Sequence, residues 1–285
     1  MEYEAFAQIM HRHLYAGERN KLLQKLASSP ERFTGLFRST TPPMKLLQHM
    51  TQSREIRFGD AMEEVIDQLI AAAGYDCLDK SIQDPGGERL SVDQYFTDGS
   101  TFFFVEQKVR DDHDSTKKRG QTENFRRKLD CLAKRHAPNL KGAMYFIDPH
   151  ARKNQRYYSD FLASASQDTG VQLSLYYGEE LFLNLLGFQD GWNMLVSWLT
   201  QWRKGVSESH ELDFDQVPGQ SHTEIAQVGL STWAKLIKND DLWETGLMKT
   251  LFSSGETLRR MRDIFLRKDA RLAKALDSRL QQFYG

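Results

Sequence analysis

Apolar positions recur along this chain with two different periods. Met62, Val65, Ile66, Leu69 and Ile70 are spaced by three and four residues, which predicts a helix over 59–73, with Gly74 as its stop signal. Residues 1–55 read as helices with polar connections, and the prolines of TTPP at 40–43 are expected to end one of them. Beyond Gly74 the period changes to that of strands. YDCLDKSI reads as a short strand, PGGE at 85–88 as a turn, RLSVDQYF as a strand, TDGS as a hairpin turn and TFFFVEQKV as a second strand. Asp98-Gly99 between two such runs is a strong hairpin signal. STKKRGQTENFRRKLDCLAKRH then reads as a basic helix, GAMYFID as a buried strand, NQRYYSDFLASASQ as a helix, VQLSLYYG as a strand and EELFLNLLG as a helix.

Helices interleaved with strands in this order predict an α/β fold, a central mixed β-sheet flanked by helices, with helical N- and C-terminal regions. The expected organisation is a helical region over 1–55, a core over 56–188 and a mostly helical region over 189–285 that serves target recognition or dimerisation. Within the last, 208–224 reads as a loop or linker, and LRRMRDIFLRKDARLAKALDSRL as one basic amphipathic helix.

Composition narrows the class. With 285 residues, 40% of them hydrophobic and 27% charged, the chain can bury a sizeable core without staples. Two cysteines, Cys77 and Cys131, suggest neither a disulfide framework nor a zinc site. No apolar run approaches the roughly 18 residues of a membrane span, so a cytoplasmic protein is expected. The net charge of −1 excludes a globally basic nucleic-acid coat but not a local basic groove. One such stretch runs from Lys108 to Arg135, and a solvated helix face is its bland reading.

The hairpin carries the candidate chemistry. A two-residue Asp98-Gly99 loop pairs Thr97 with Ser100, Phe96 with Thr101 and Asp93 with Phe104. Side chains alternate between faces, so Asp93 shares a face with Phe102, Phe104, Glu106 and Lys108, while Val92, Phe96, Phe103 and Val105 face a core. Two carboxylates in a partly buried site repel unless a proton or a cation intervenes. Hard oxygen ligands suit Mg²⁺, and a lysine one strand-step away can position water and offset developing charge. That is the chemistry of metal-dependent phosphodiester hydrolysis. An ion pair between Asp93 and Lys108 at a strand end, with Glu106 facing water, fits the same short pattern.

Asp93…Glu106-Gln107-Lys108 resembles the active-site motif of the PD-(D/E)xK nuclease superfamily, and most closely its type II restriction endonucleases. The resemblance spans 56–188, including the element order, and Val92 stands where the motif's name has proline. It implies a restriction-endonuclease-like core in which Asp93 and Glu106 bind Mg²⁺, with Mn²⁺ as a substitute, and Lys108 assists the attacking water. It also implies an acidic residue from the preceding helix, for which Glu63 fits better than Glu64. The expected activity is cleavage of double-stranded DNA at a specific short sequence, leaving 5′-phosphate and 3′-hydroxyl ends. A repair or junction-resolving nuclease of the same superfamily and a non-catalytic DNA-binding protein are the alternatives. A homodimer fits a palindromic target, and a DNA methyltransferase is the expected genetic, not physical, partner.

Lys117, Lys118 and Arg119, with Arg126 and Arg127 further along, are expected to meet DNA phosphates near the start of the basic helix. Gln121, Asn124 and Arg119 have the chemistry to read base edges. His113, flanked by acids, reads as a surface-loop residue, and Tyr157 and Tyr158 as packing their helix against the sheet.

Overall fold

A computed structural model describes residues 1–285 except 85, 113 and 206–211. It divides into two compact units, one of residues 1–10 and 58–204 and one of residues 11–57 and 205–285. Four helices open the chain: α1 (Tyr3–Leu14), α2 (Glu18–Ser28), α3 (Glu31–Thr34) and α4 (Pro42–Ala72). The prolines at 42 and 43 therefore begin a helix rather than end one. A missing N–H costs nothing in the first turn, where N–H groups have no helical partner anyway. The helix expected over 59–73 is the second half of this 31-residue α4, and its stripe Met62, Val65, Ile66, Leu69 and Ile70 is buried.

The unit of residues 1–10 and 58–204 contains the expected α/β layers. Its strands are β1 (Asp76–Cys77), β2 (Ser81–Gln83), β3 (Arg89–Ser91), β4 (Gln94–Thr97), β5 (Phe102–Lys108), β6 (Leu140–Phe146) and β7 (Gln172–Tyr177). Five form one sheet in the order β1-β4-β5-β6-β7, and β2 and β3 pair separately. β1, β4 and β5 run antiparallel, and β5, β6 and β7 parallel, so the sheet is mixed. Helices α5 (Ser115–His136) and α6 (Gln155–Thr169) supply Phe125, Leu129, Leu132, Tyr158 and Leu162 to a core with Tyr95, Phe104, Met144 and Phe146. Phe96 and Phe103 stack at 5.1 Å, with the edge of Tyr75 against both rings. Gly142, opposite Phe104 on β6, lies where any Cβ would strike that ring, so only glycine fits there. The EELFLNLLG helix is a π-helical segment over Phe182–Leu186, followed by α7 (Gln189–Gly205).

Two local expectations are corrected. RLSVDQYF is not one strand: β3 pairs with β2 and β4 with β5, and the chain bends at Val92–Asp93 between them. Val92 packs in the core that holds Phe104 rather than with Phe103. The hairpin register also differs, because Thr97 pairs with Phe102 and Gln94 with Val105 across a wider turn. The Asp98 carboxylate accepts from the backbone N–H groups of Ser100 (2.8 Å) and Thr101 (2.7 Å), which closes a four-residue loop around Gly99 at φ +90°. The register moves by two residues, an even number, so Asp93 keeps the face predicted for it.

In the unit of residues 11–57 and 205–285, α2 and α3 pack with α8 (Pro218–Ile225), α9 (Leu230–Lys238), α10 (Asp240–Glu244), α11 (Leu247–Leu251), α12 (Glu256–Lys268) and α13 (Ala270–Tyr284) around Leu23, Phe33, Trp233, Met248 and Phe265. The expected loop over 208–224 lies outside the described residues up to 211. The rest of it holds a 3-10 turn over Phe214–Gln216 and α8, which Pro218 starts. The single C-terminal helix is in fact two. Asp269 accepts from the N–H groups of Arg271 and Leu272 and so caps α13, breaking the run. Leu258, Met261, Phe265, Leu272, Leu276 and Leu280 are buried in this core, and Arg260 and Arg262 are ion-paired with Glu256 and Asp277.

Candidate active site

Asp93 comes just before β4, and β5 carries Glu106 and Lys108 on one face. The Asp93 Oδ2 accepts the backbone N–H of Gln107 at 2.8 Å, where a ladder carbonyl would otherwise sit, and the ammonium of Lys108 at 2.9 Å. Lys108 also donates to the Gln107 carbonyl at 2.6 Å. The side chain of Gln107 leaves the opposite face. It accepts from Gln94 Nε2, which also donates to the Glu63 carbonyl and so ties α4 to the hairpin. Glu106 is 6% exposed, and its Oε1 accepts from Lys128 Nζ at 2.6 Å. The reading in which Glu106 faces water is thereby excluded.

Three carboxylates share this environment. Burial, and then the charge of Asp93, push Glu106 up to about 7, against the opposing pull of Lys128 and Lys108. The same two causes raise Glu63 to about 7, so Glu63 lies within the field of Asp93 and Lys108. Burial alone would lower the pKa of Lys108, but Asp93 and Glu106 outweigh it and the value is raised. Lys108 is therefore an ammonium at neutral pH. Asp93 Oδ1, Glu106 Oε2 and the Glu63 carboxylate accept no hydrogen bond among the described residues.

α5 starts four residues beyond Asp111. The buried Asp111 carboxylate accepts from Asn154 N (2.7 Å), Asn154 Nδ2 (2.8 Å) and Tyr177 Oη (3.0 Å), which anchors the segment leading from β5 to α5. Asp114 then caps α5 through the N–H groups of Thr116 and Lys117. Of the residues expected to contact DNA, Lys117, Arg119 and Asn124 are exposed, while Gln121 accepts from Tyr158 Oη at 2.6 Å. Lys117, Gln121 and Asn124 stand 11, 7 and 4 residues before Lys128, and hence on the stripe of α5 that leads to Glu106. Lys118 donates to Asn154 and lies over the Tyr157 ring. Arg126 is paired with Asp130 and Asp168, and Arg127 with Asp84 and Glu88. Tyr158 is buried against Phe146, as expected of a packing residue. His113 lies outside the described residues.

Sequence reasoning missed Lys128 and Asp111. Lys128 was counted only as part of a basic run. Its signal was positional, because it lies among Phe125, Leu129 and Leu132, at the spacing of a buried face.

Residues 76–203, somewhat under half of the chain, match a protein-family model, HinfI, described as a type II restriction endonuclease. No curated protein and no solved structure gives a significant match. The matched segment contains Asp93, Glu106, Lys108 and Lys128, whereas Glu63 precedes it. The hairpin motif that carries the resemblance thus lies inside the matched segment, and residues 76–203 are similar to the type II restriction endonucleases that this family model describes.

Proposed function

We propose that this chain is a Mg²⁺-dependent endonuclease that cleaves double-stranded DNA at a specific short sequence and leaves 5′-phosphate and 3′-hydroxyl ends. The convergence of Asp93, Glu106 and Lys108 at the end of β5, inside the matched segment, carries this reading. The donor set fits Mg²⁺. Among the described residues, Asp93 and Glu106 each keep one carboxylate oxygen without a hydrogen bond, and hard oxygens from one or two carboxylates, completed by waters and phosphate, are what this ion takes. Among the described residues no group of three acidic, histidine or cysteine side chains forms a ready-made cage. Asp93 and Glu106 would hold the ion, with Glu63 beside them. Mn²⁺ would be held by the same oxygens. The bound ion supplies Lewis-acid polarisation of the scissile phosphate.

The chain's own groups do the rest. Lys108, kept protonated by its carboxylate neighbours, positions the attacking water and offsets charge developing on the phosphate. Lys117, Arg119 and Asn124, exposed on α5, are the DNA contacts this reading favours, with Lys118 and Gln121 on the same helix. Arg126 and Arg127 would have to leave their carboxylate partners to join them. A palindromic target calls for a homodimer, and a DNA methyltransferase would protect the host genome. A cytoplasmic location accords with this role, and among the described residues no helix is long and apolar enough to cross a membrane.

Asp93→Ala tests the assignment. Cleavage of duplex DNA in Mg²⁺ should vanish while binding of the same duplex in Ca²⁺ persists. Undiminished cleavage by the variant would remove Asp93 from the mechanism.

A further inference from the structure

Phe37 is 99% exposed and its neighbour Leu36 87%, and among the described residues no other large apolar side chain exceeds 69%. Both lie between α3 and α4, in the unit of residues 11–57 and 205–285. Single exposed apolar residues are ordinary, but an adjacent pair rimmed by polar residues marks an interaction site. This pair is held in place. The Arg38 N–H donates to the Leu36 carbonyl at 2.9 Å, a γ-turn with Phe37 at its apex. The Gly35 N–H donates to the Glu31 carbonyl at 3.0 Å, and any Cβ on Gly35 would lie 2.7 Å from that oxygen, so only glycine ends α3 this tightly. Phe33 before the turn and Leu46 after it are buried in the core of the unit. Met44 and Leu47, about half exposed on the first turns of α4, are the next exposed apolar side chains along the chain.

The surroundings are basic. From Lys21 to Met50 the chain carries five lysines and arginines and one carboxylate, Glu31, in a protein of net charge −1. Lys25, Arg32 and Arg38 have no ion-pair partner among the described residues, and the Lys45 ammonium donates to the Gln48 amide oxygen. These cations are gathered in space. Burial, and then the charges of Arg32, Lys25, Lys45 and Arg57, lower the pKa of His49, which meets the Phe33 ring edge-on at 5.4 Å. Of the four, Arg57 is already engaged by Glu18.

Charge selects the occupant. A second copy meeting this turn by two-fold symmetry would set the same cations against themselves, and like charges across an interface are costly. Two side chains at a turn apex also fall well short of the roughly 800 Å² per partner that a stable protein interface buries. Duplex DNA answers both points. Its phosphates take unpaired cations, and single Phe or Leu side chains enter between its base steps as wedges.

We propose that the Leu36–Phe37 turn is a wedge that enters the base stack of duplex DNA, while Arg32 and Arg38, with Lys25 and Lys45, hold the adjacent phosphates. This rests on the nuclease reading, which supplies DNA as the polyanion. The wedge unstacks a base step, and so kinks and unwinds the duplex. It makes no hydrogen bond to a base edge, so the selectivity it adds is for steps that open readily, pyrimidine–purine steps above all.

Unwinding is the readout. Closed circular plasmid is relaxed by a magnesium-independent topoisomerase in Ca²⁺, with the whole chain bound at saturation, and the linking number is read after the protein is removed. Wild type should lower the linking number. Phe37→Ser, which alters a side chain outside the core, should saturate the plasmid and leave the linking number at that of naked DNA. Arg32→Ala combined with Arg38→Ala should weaken binding to every duplex and lower the salt slope by about two; an unaltered slope contradicts the phosphate contacts. An equal shift from Phe37→Ser overturns the wedge, as does no shift from a wild type that cleaves the plasmid in Mg²⁺. So does a Phe37→Ser defect confined to self-association in sedimentation, or to binding of phosphatidylserine vesicles, since the turn would then serve a second copy or a lipid surface. A wild type that neither binds nor cleaves duplex DNA removes the nuclease reading itself, and the wedge with it.

Discussion

The Glu106–Lys128 pair can be tested as a structural element by replacing it with apolar groups of similar length, Glu106→Leu and Lys128→Met, singly and together. Both partners are almost fully buried, so each ion has lost nearly all its hydration. Removing Lys128 alone strands a buried carboxylate and should cost about 3–5 kcal/mol near pH 8. The cost should shrink toward pH 5, because Glu106, already raised to about 7, can take up a proton instead. The double variant removes both desolvation penalties at once and should unfold within about 1 kcal/mol of wild type, or be more stable than it. Urea unfolding in the presence of a chelator measures all four proteins. A double variant that loses as much as the two single variants combined would refute the reasoning, because the pair would then be a stabilising bridge and its burial would need no functional explanation.

Three further outcomes follow from the geometry. Asp111→Ala orphans the N–H of Asn154 and the hydroxyl of Tyr177, at about 1–3 kcal/mol each, so chemical denaturation should show a loss of that summed order, with Asp111→Asn losing less. The metal-free protein should become less stable relative to its Glu63→Gln variant as pH rises from 4.5 to about 7, since folded Glu63 keeps a proton that the unfolded chain releases; a difference that does not vary with pH would contradict the raised pKa. Lys117→Ala should weaken DNA binding in Ca²⁺ for all sequences and lower the salt slope by about one, whereas Arg127→Ala should change affinity little because Asp84 and Glu88 already hold that guanidinium.

Much of the site was legible in the sequence because it depends on local periodicity. Phe102–Lys108 form one strand, α5 begins and ends where its pattern does, and alternation puts Glu106 and Lys108 on one face, where Asp93, at the bend before β4, meets Lys108. The register slipped because turn length depends on a side chain. Asp98 closes four residues where the dipeptide rule gives two. The bend at Val92–Asp93 was hidden for a related reason, since a carboxylate takes the N–H of Gln107 and ends the ladder. Lys128 was invisible because its partner lies 22 residues away, across a helix-to-sheet contact that no period encodes. Arg126 and Arg127 show the converse error: a basic run suggests free charge, but tertiary contacts supply carboxylates from Asp84, Glu88 and Asp168. The break at Asp269 was readable in principle, as an aspartate that caps the following helix.

The central claim is tested most directly by incubating sequenced plasmid DNA with the protein and Mg²⁺, then mapping the fragment ends. The account predicts discrete fragments whose ends fall within one short recurring sequence and carry 5′-phosphate and 3′-hydroxyl groups. Duplex DNA left intact in both Mg²⁺ and Mn²⁺ would contradict it.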